Sequence, residues 1–118
     1  MTFINFSNHP SSGWGDEQKA QAGRYGQVVD LPFPAVAPAA TTSDIERLAR
    51  ASVAHILDMG GGSDITVHIM GEMTLVYHIV RRLKRRGVRC VASTTERVVT
   101  EVDGKKVSEF HFVQFREY

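Results

Sequence analysis

Three short polar segments hold most of the side chains that could do chemistry. The first, Ser7-Asn8-His9-Pro10-Ser11-Ser12-Gly13-Trp14, gathers hydroxyls, an amide, an imidazole and the only tryptophan of the chain. Hydroxyls and backbone N–H groups suit phosphate, and an indole offers a face on which a base stacks. An imidazole moves protons near neutral pH, so His9 is a candidate general acid or base. The plainer reading is a turn whose His and Trp pack against the edge of the domain. The second segment, His68-Ile69-Met70-Gly71-Glu72-Met73-Thr74, reads as strand, glycine turn and helix start. Free N–H groups at a helix N-terminus bind anions, Gly71 leaves room for a phosphate against the backbone, and Thr74 adds a hydroxyl. Glu72 either complements the helix dipole or accepts the proton of a ribose 2′-hydroxyl. The third, Ser93-Thr94-Thr95-Glu96-Arg97, sets three hydroxyls before a guanidinium, which pairs two phosphate oxygens at once. It also reads as an ordinary strand edge with a solvated Glu96 and Arg97.

Other features exclude function classes. The spaced glycines and Lys of a Walker A loop are missing, as is the dinucleotide fingerprint. His55, His68, His78 and His111 show no metal-ligand spacing and read as structural, with His68 the one worth testing because it precedes the glycine turn. No metal and no cofactor is expected. The single cysteine, Cys90, lies in an apolar run, reads as a small buried hydrophobe and allows no intramolecular disulfide. Arg81, Arg82, Lys84, Arg85 and Arg86 form a basic run at a helix C-terminus, where cations favour the dipole and a solvated face is the simplest account. With a net charge of +1 there is no global field, so any polyanion site must be local. No leader and no window of roughly 20 apolar residues is visible, which gives a cytoplasmic location by default and no membrane.

The elements that must position these segments follow from pattern. At 118 residues the chain makes one domain, 1–118, and its 42% hydrophobic content suffices for a real core. Thr2 to Ser7 alternates as a strand, Asp16 to Arg24 makes a short helix ended by Gly26, and Gln27 to Leu31 is a second strand. Pro32, Pro34 and Pro38 make residues 32–42 an extended linker. Ser43 with Glu46 matches a capping box, and Ile45, Leu48, Ala49, Val53, Ile56 and Leu57 recur at helical spacing until Gly60-Gly61-Gly62. Asp64 to Met70 is a third strand, Met73 to Arg86 a helix closed by Gly87, and Val88 to Ala92 a fourth strand. After a loop at Ser93 to Arg97 comes a hairpin, Arg97 to Val102 and Val107 to Phe115 about Asp103-Gly104. Phe110, Phe112, Val113 and Phe115 alternate only in part. The alternation predicts a Rossmann-like three-layer α/β domain, with a mainly parallel sheet and a C-terminal β-hairpin. Ligands of such sheets bind at the carboxyl ends of the strands, where the strand order switches, so the three polar segments should converge there.

With these residues placed, the chain resembles the CARF (CRISPR-associated Rossmann fold) superfamily, and in particular its small stand-alone ring nucleases. The likeness covers the strand order over nearly all the chain. It is most evident from Val67 to Arg97: the Gly71-Glu72-Met73-Thr74 helix start, the long helix, then Gly87-Val88-Arg89-Cys90-Val91-Ala92-Ser93-Thr94-Thr95 and a hairpin. Asn5-Phe6-Ser7-Asn8-His9-Pro10-Ser11 also looks like the first-strand loop of those proteins. The resemblance implies a homodimer whose paired loops form one cleft for cyclic oligoadenylate, cyclic tetra-adenylate being favoured, in type III CRISPR antiviral signalling. It further implies metal-independent cleavage, in which the ribose 2′-hydroxyl attacks the adjacent phosphate and leaves a 2′,3′-cyclic phosphate. Many CARF sites carry a Lys or Ser where this chain has Glu72 and Thr74, so the catalytic set is open among His9, Glu72 and Arg97. Ser7, Asn8, Ser11, Trp14, Gly71, Thr74, Ser93, Thr94 and Thr95 are the expected ligand contacts. Two rival readings are a non-catalytic sensor or sponge with the same cleft, and a protein-interaction module using the open edge of Val107 to Phe115. Double-stranded nucleic acid is not an expected partner.

Overall fold

Phe3, Asn5 and Ser7 alternate with Ile4 and Phe6 along the first strand, and all five are buried. A strand buried on both faces belongs at the centre of a parallel sheet, and that is where the chain puts it. The computed structural model describes residues 1–61 and 64–118; Gly62, expected to help stop the second helix, lies outside them. The elements are β1 (Thr2–Ser7), α1 (Asp16–Tyr25), β2 (Gln27–Pro32), α2 (Thr42–Gly60), β3 (Ile65–Ile69), α3 (Met73–Arg85), β4 (Arg89–Val102) and β5 (Lys105–Glu117), with one 3-10 turn at Ser11–Gly13. The sheet order is β2-β1-β3-β4-β5, parallel except for the β4–β5 hairpin.

The chain leaves β1 for β2 on one side and returns over β1 to β3 on the other, which distributes the helices over both faces. Ala22 of α1 packs with Phe3, Trp14, Val91 and Phe115 on one face. Ile45, Val53 and Ile56 of α2 and Leu75, Ile79 and Leu83 of α3 pack on Ile4, Phe6, Val67, Ile69 and Cys90 on the other. This is the Rossmann-like three-layer α/β domain that the alternation predicts. Cys90 is buried, and burial pushes its thiol up to about 11, so it stays protonated and inert. Among the described residues no helix is long and apolar enough to cross a membrane.

Two boundaries differ from expectation. α2 starts earlier: Thr41 is the N-cap, its hydroxyl accepting from the Asp44 N–H at 3.1 Å while the Asp44 carboxylate accepts from the Thr41 N–H at 2.9 Å. The box is Thr41 with Asp44, not Ser43 with Glu46. The larger difference is at residues 93–97, which form no loop. β4 runs unbroken from Arg89 to Val102 and, past its three-residue pairing with β3, pairs among the described residues with β5 alone. Thr94, Thr95, Val98 and Val99 are β-branched and fit an extended ribbon. Asp103 and Gly104 turn it with φ of 51° and 76°, the positive values that a two-residue hairpin turn requires.

The partial alternation near the C-terminus has a physical cause. Thr94 pairs with Gln114 but Thr95 pairs with Phe112, so Val113 is an extra residue bulging from β5. The Thr94 hydroxyl accepts from the Gln114 N–H at 3.2 Å and donates to the Gln114 carbonyl at 3.1 Å, and Gln21 of α1 donates to the Val113 carbonyl at 3.1 Å. The bulge lets Phe115 and Phe112 turn to the same face, against α1.

Candidate functional site

Four side chains form one transverse row across the sheet at the carboxyl ends of its strands. Asn5 of β1 stands in register between Asp30 of β2 and His68 of β3, and His68 stands beside Val91 of β4, two residues before Ser93. Strands lie about 4.8 Å apart, so polar side chains in such a row reach one another directly. The Asn5 amide Nδ2 donates to the Asp30 carboxylate and to the His9 carbonyl, both at 2.9 Å. Its Oδ1 accepts from the Ser7 hydroxyl at 2.7 Å and faces His68 Nδ1 at 2.8 Å. His68 Nε2 lies 3.2 Å from Ser93 Oγ, which also sits 2.9 Å from Met70 Sδ.

The electrostatics of the row follow from its burial. His68 is 1% exposed and Asn5 equally covered. Trp14 and Phe115 meet the His68 ring edge-on at 5.6 and 5.4 Å, and Phe3 stacks against it at 6.2 Å. Burial, and secondarily the neighbouring His9, pull the imidazole down to about 4, so it is neutral at physiological pH. The row opens on a cleft of about 830 Å³ between the Pro10–Gln18 segment and the β4–β5 ribbon. His68, Ser93 and Thr95 line it with His9, Trp14, Phe110 and Phe112, while Asp16 and Glu17 stand at the N-terminus of α1. Among the described residues, no group of three or more His, Cys, Asp and Glu is placed to hold a metal ion.

The expected site residues divide. His9, Trp14, Ser93 and Thr95 come together in the cleft. Trp14 is 8% exposed and spends its faces on the aromatic cluster over His68, so it roofs the row rather than offering a base a platform. Ser7 is buried and ties the loop down, its Oγ accepting from the His9 N–H at 3.2 Å. Ser11 is held by Asp30, donating to it from both its N–H and its hydroxyl. Asn8 is exposed on the loop and Thr94 locks the bulge, and neither lines the cleft.

At the start of α3 the chain's own Glu72 takes up the N–H groups that an anion would use. Glu72 is the N-cap, and its carboxylate accepts from Thr74 Oγ1 at 2.6 Å and from the N–H groups of Leu75 at 2.8 Å and Thr74 at 3.1 Å. These bonds, the Thr74 hydroxyl first, hold its carboxyl below the usual range. The carboxylate therefore occupies the position that a phosphate would take, and Glu72 and Thr74 satisfy each other. Gly71 is explained by packing, since a Cβ there would fall 2.6 Å from the Phe33 ring. Residues 71, 73 and 76 line a different, apolar groove on the α3 side. Arg97 does not line the cleft either. It donates to Ser108 Oγ at 3.0 and 3.3 Å on the exposed ribbon. It does stand opposite Phe110 in register, so it shares the cleft-side face of that ribbon.

Asn5, Asp30 and the central place of His68 were missed from the sequence. A signal was present: both Asn5 and His68 interrupt strands otherwise fit for burial on both faces, and a buried polar side chain there needs partners. The fold and this row define a doubly wound α/β domain with a Ser–His–Asn–Asp chain of hydrogen bonds at the switch in strand order. The chain belongs to the Uncharacterized protein MJ1673 family, whose model matches residues 1–116. No curated protein and no solved structure matches it.

Proposed function

We propose that the protein binds cyclic oligoadenylate, cyclic tetra-adenylate first among such rings, and opens it without a metal by attack of a ribose 2′-hydroxyl on the adjacent phosphate. The products are ends with a 2′,3′-cyclic phosphate, and the setting is type III CRISPR signalling in the cytoplasm. The observation that carries this reading is the composition of the cleft. Its hydroxyls and imidazoles at Ser93, Thr95, His68 and His9 suit ribose and phosphate, and the rings of Phe110 and Phe112 suit a base. The likeness of residues 5–11 and 67–97 to the CARF superfamily supplies the ring and the two-fold assembly.

The charge balance also favours two copies acting together. Among the described residues, the cleft lining holds Asp16 and Glu17 and neither Lys nor Arg. An oligoadenylate ring carries one negative charge per phosphate, which a single cleft does not offset. Two ribbons facing one ligand bring two copies of Arg97, and Arg is the side chain best fitted to phosphate. The same face of the ribbon carries Val99 and Phe110, both exposed, where a second chain would find apolar surface.

The test is incubation of the pure protein with cyclic tetra-adenylate in EDTA, read by chromatography of the products and by thermal shift. Linear products with cyclic phosphate ends support the enzyme. A raised melting temperature with intact ring establishes the sensor or sponge instead. Neither effect at ligand in large excess over protein rejects the reading and turns attention to β5 as an edge for a partner strand.

A further inference from the structure

We infer that Ser93 and His68 form a proton relay that accepts the proton of the attacking hydroxyl, with Asn5 and Asp30 as positioning residues; this rests on the cleavage reading above. The Asn5 amide is fixed from both ends. Its two N–H donors are spent on Asp30 and the His9 carbonyl, so its oxygen must accept from Ser7 and from His68 Nδ1. Nδ1 therefore carries the imidazole proton, and Nε2 presents a lone pair to Ser93 Oγ. Of the two acceptors near the Ser93 hydroxyl, the imidazole nitrogen is far stronger than the Met70 thioether. Ser93 then gives its hydrogen to His68 and keeps its oxygen lone pairs as acceptors for a hydroxyl in the cleft.

A row of four polar groups is costly to place on the inner face of a sheet, since each must be fully satisfied. A purely structural role would be met by apolar residues in register, as Ile4 and Val67 meet it on the opposite face. Instead the row starts at an exposed carboxylate, Asp30, and ends at a half-buried hydroxyl on the cleft lining. The titratable groups around His68 are His9, Asp16, Glu17 and His111 in the cleft lining and Asp30 behind Asn5.

In the reaction the 2′-hydroxyl passes its proton to Ser93 Oγ as Ser93 passes its own to His68 Nε2. The O2′–P bond forms and the P–O5′ bond breaks. The departing 5′-oxygen takes a proton from water at the open cleft, and the hydroxide so formed recovers a proton from His68 through Ser93. The imidazolium that exists between these events keeps its Nδ1–H on Asn5 Oδ1, in an amide that Asp30 holds in place.

Ser93→Ala, Ser93→Thr and His68→Gln test the relay in single-turnover cleavage of cyclic tetra-adenylate, alongside the dissociation constant of each variant. Ser93→Ala and His68→Gln are expected to slow cleavage by about 10²–10⁴-fold, the range of general acid–base help, with affinity changed only a few-fold. Ser93→Thr, which keeps the hydroxyl, recovers most of the rate. The wild-type rate falls on acidification toward pH 4 as His68 protonates, and His68→Gln loses that limb. Wild-type rates in Ser93→Ala overturn the relay and leave the nuclease reading standing. A wild-type protein that binds the ring but never cuts it overturns relay and nuclease and leaves binding. One that does neither overturns all three.

Discussion

His68 holds a neutral imidazole in a place where the unfolded chain would let it charge. Its folded value lies near 4 against an ordinary 6.5, because burial penalises the cation and His9 adds to the effect. Below pH 6.5 the unfolded state takes up a proton that the folded state refuses, so stability is complete above about 6.5 and falls as pH drops toward 4. Below that the loss from this group levels off, because both states are then protonated. A displacement of that size corresponds to about 3 kcal/mol at full extent. Denaturant titrations of wild type and His68→Gln at pH 7 and pH 5 check it: the variant should lose much less stability between the two. Equal losses would show that other groups set the acid sensitivity. At this scale the sequence was partly legible. Ser93, Thr95 and His9 stand out as polar residues in segments that line the cleft. Asn5 and Asp30 look unremarkable until register sets them side by side, 25 positions apart in the chain.

At the scale of elements, the same residue types served different ends from those their motif suggested. A glycine and an acid at a strand-to-helix turn fit a phosphate site, yet here the acid caps its own helix and the glycine makes room for a ring. Gly71→Ala is expected to destabilise the fold by about 1–3 kcal/mol, because its Cβ would meet buried Phe33 at 2.6 Å. In a Phe33→Leu background the cost should shrink, and thermal denaturation of the four proteins of that cycle measures the coupling. Identical costs in both backgrounds would remove Phe33 as the reason for the glycine. The run Ser93-Thr94-Thr95 shows the limit of local signals. Three hydroxyls in a row suggest a loop, but β-branched residues on both sides and an antiparallel partner at residues 105–117 keep it extended. The bulge at Val113 was announced only as imperfect alternation, since a bulge exists by virtue of two strands and not one.

At the scale of the whole molecule, the β4–β5 ribbon outruns the sheet. Past Val91, among the described residues, no strand pairs with it on the β3 side, and a two-stranded ribbon alone is marginally stable in water. Val99 and Phe110 are 51% and 68% exposed on its cleft-side face. If two copies meet there, Val99→Lys should convert a dimer to a monomer in sedimentation velocity while Ser93 and His68 stay in place. A wild-type chain that sediments as a monomer at micromolar concentration would remove the two-fold assembly. The amino-acid sequence by itself determined the order of strands and helices, the three-layer architecture and the hairpin turn, because these rest on periodicity, caps and turn residues close together in the chain. Only the tertiary structure decided which polar residues form the site. Parallel pairing brings positions 30, 5, 68 and 93 into one row across four strands, and that pairing is a property of long-range register which no local spacing encodes.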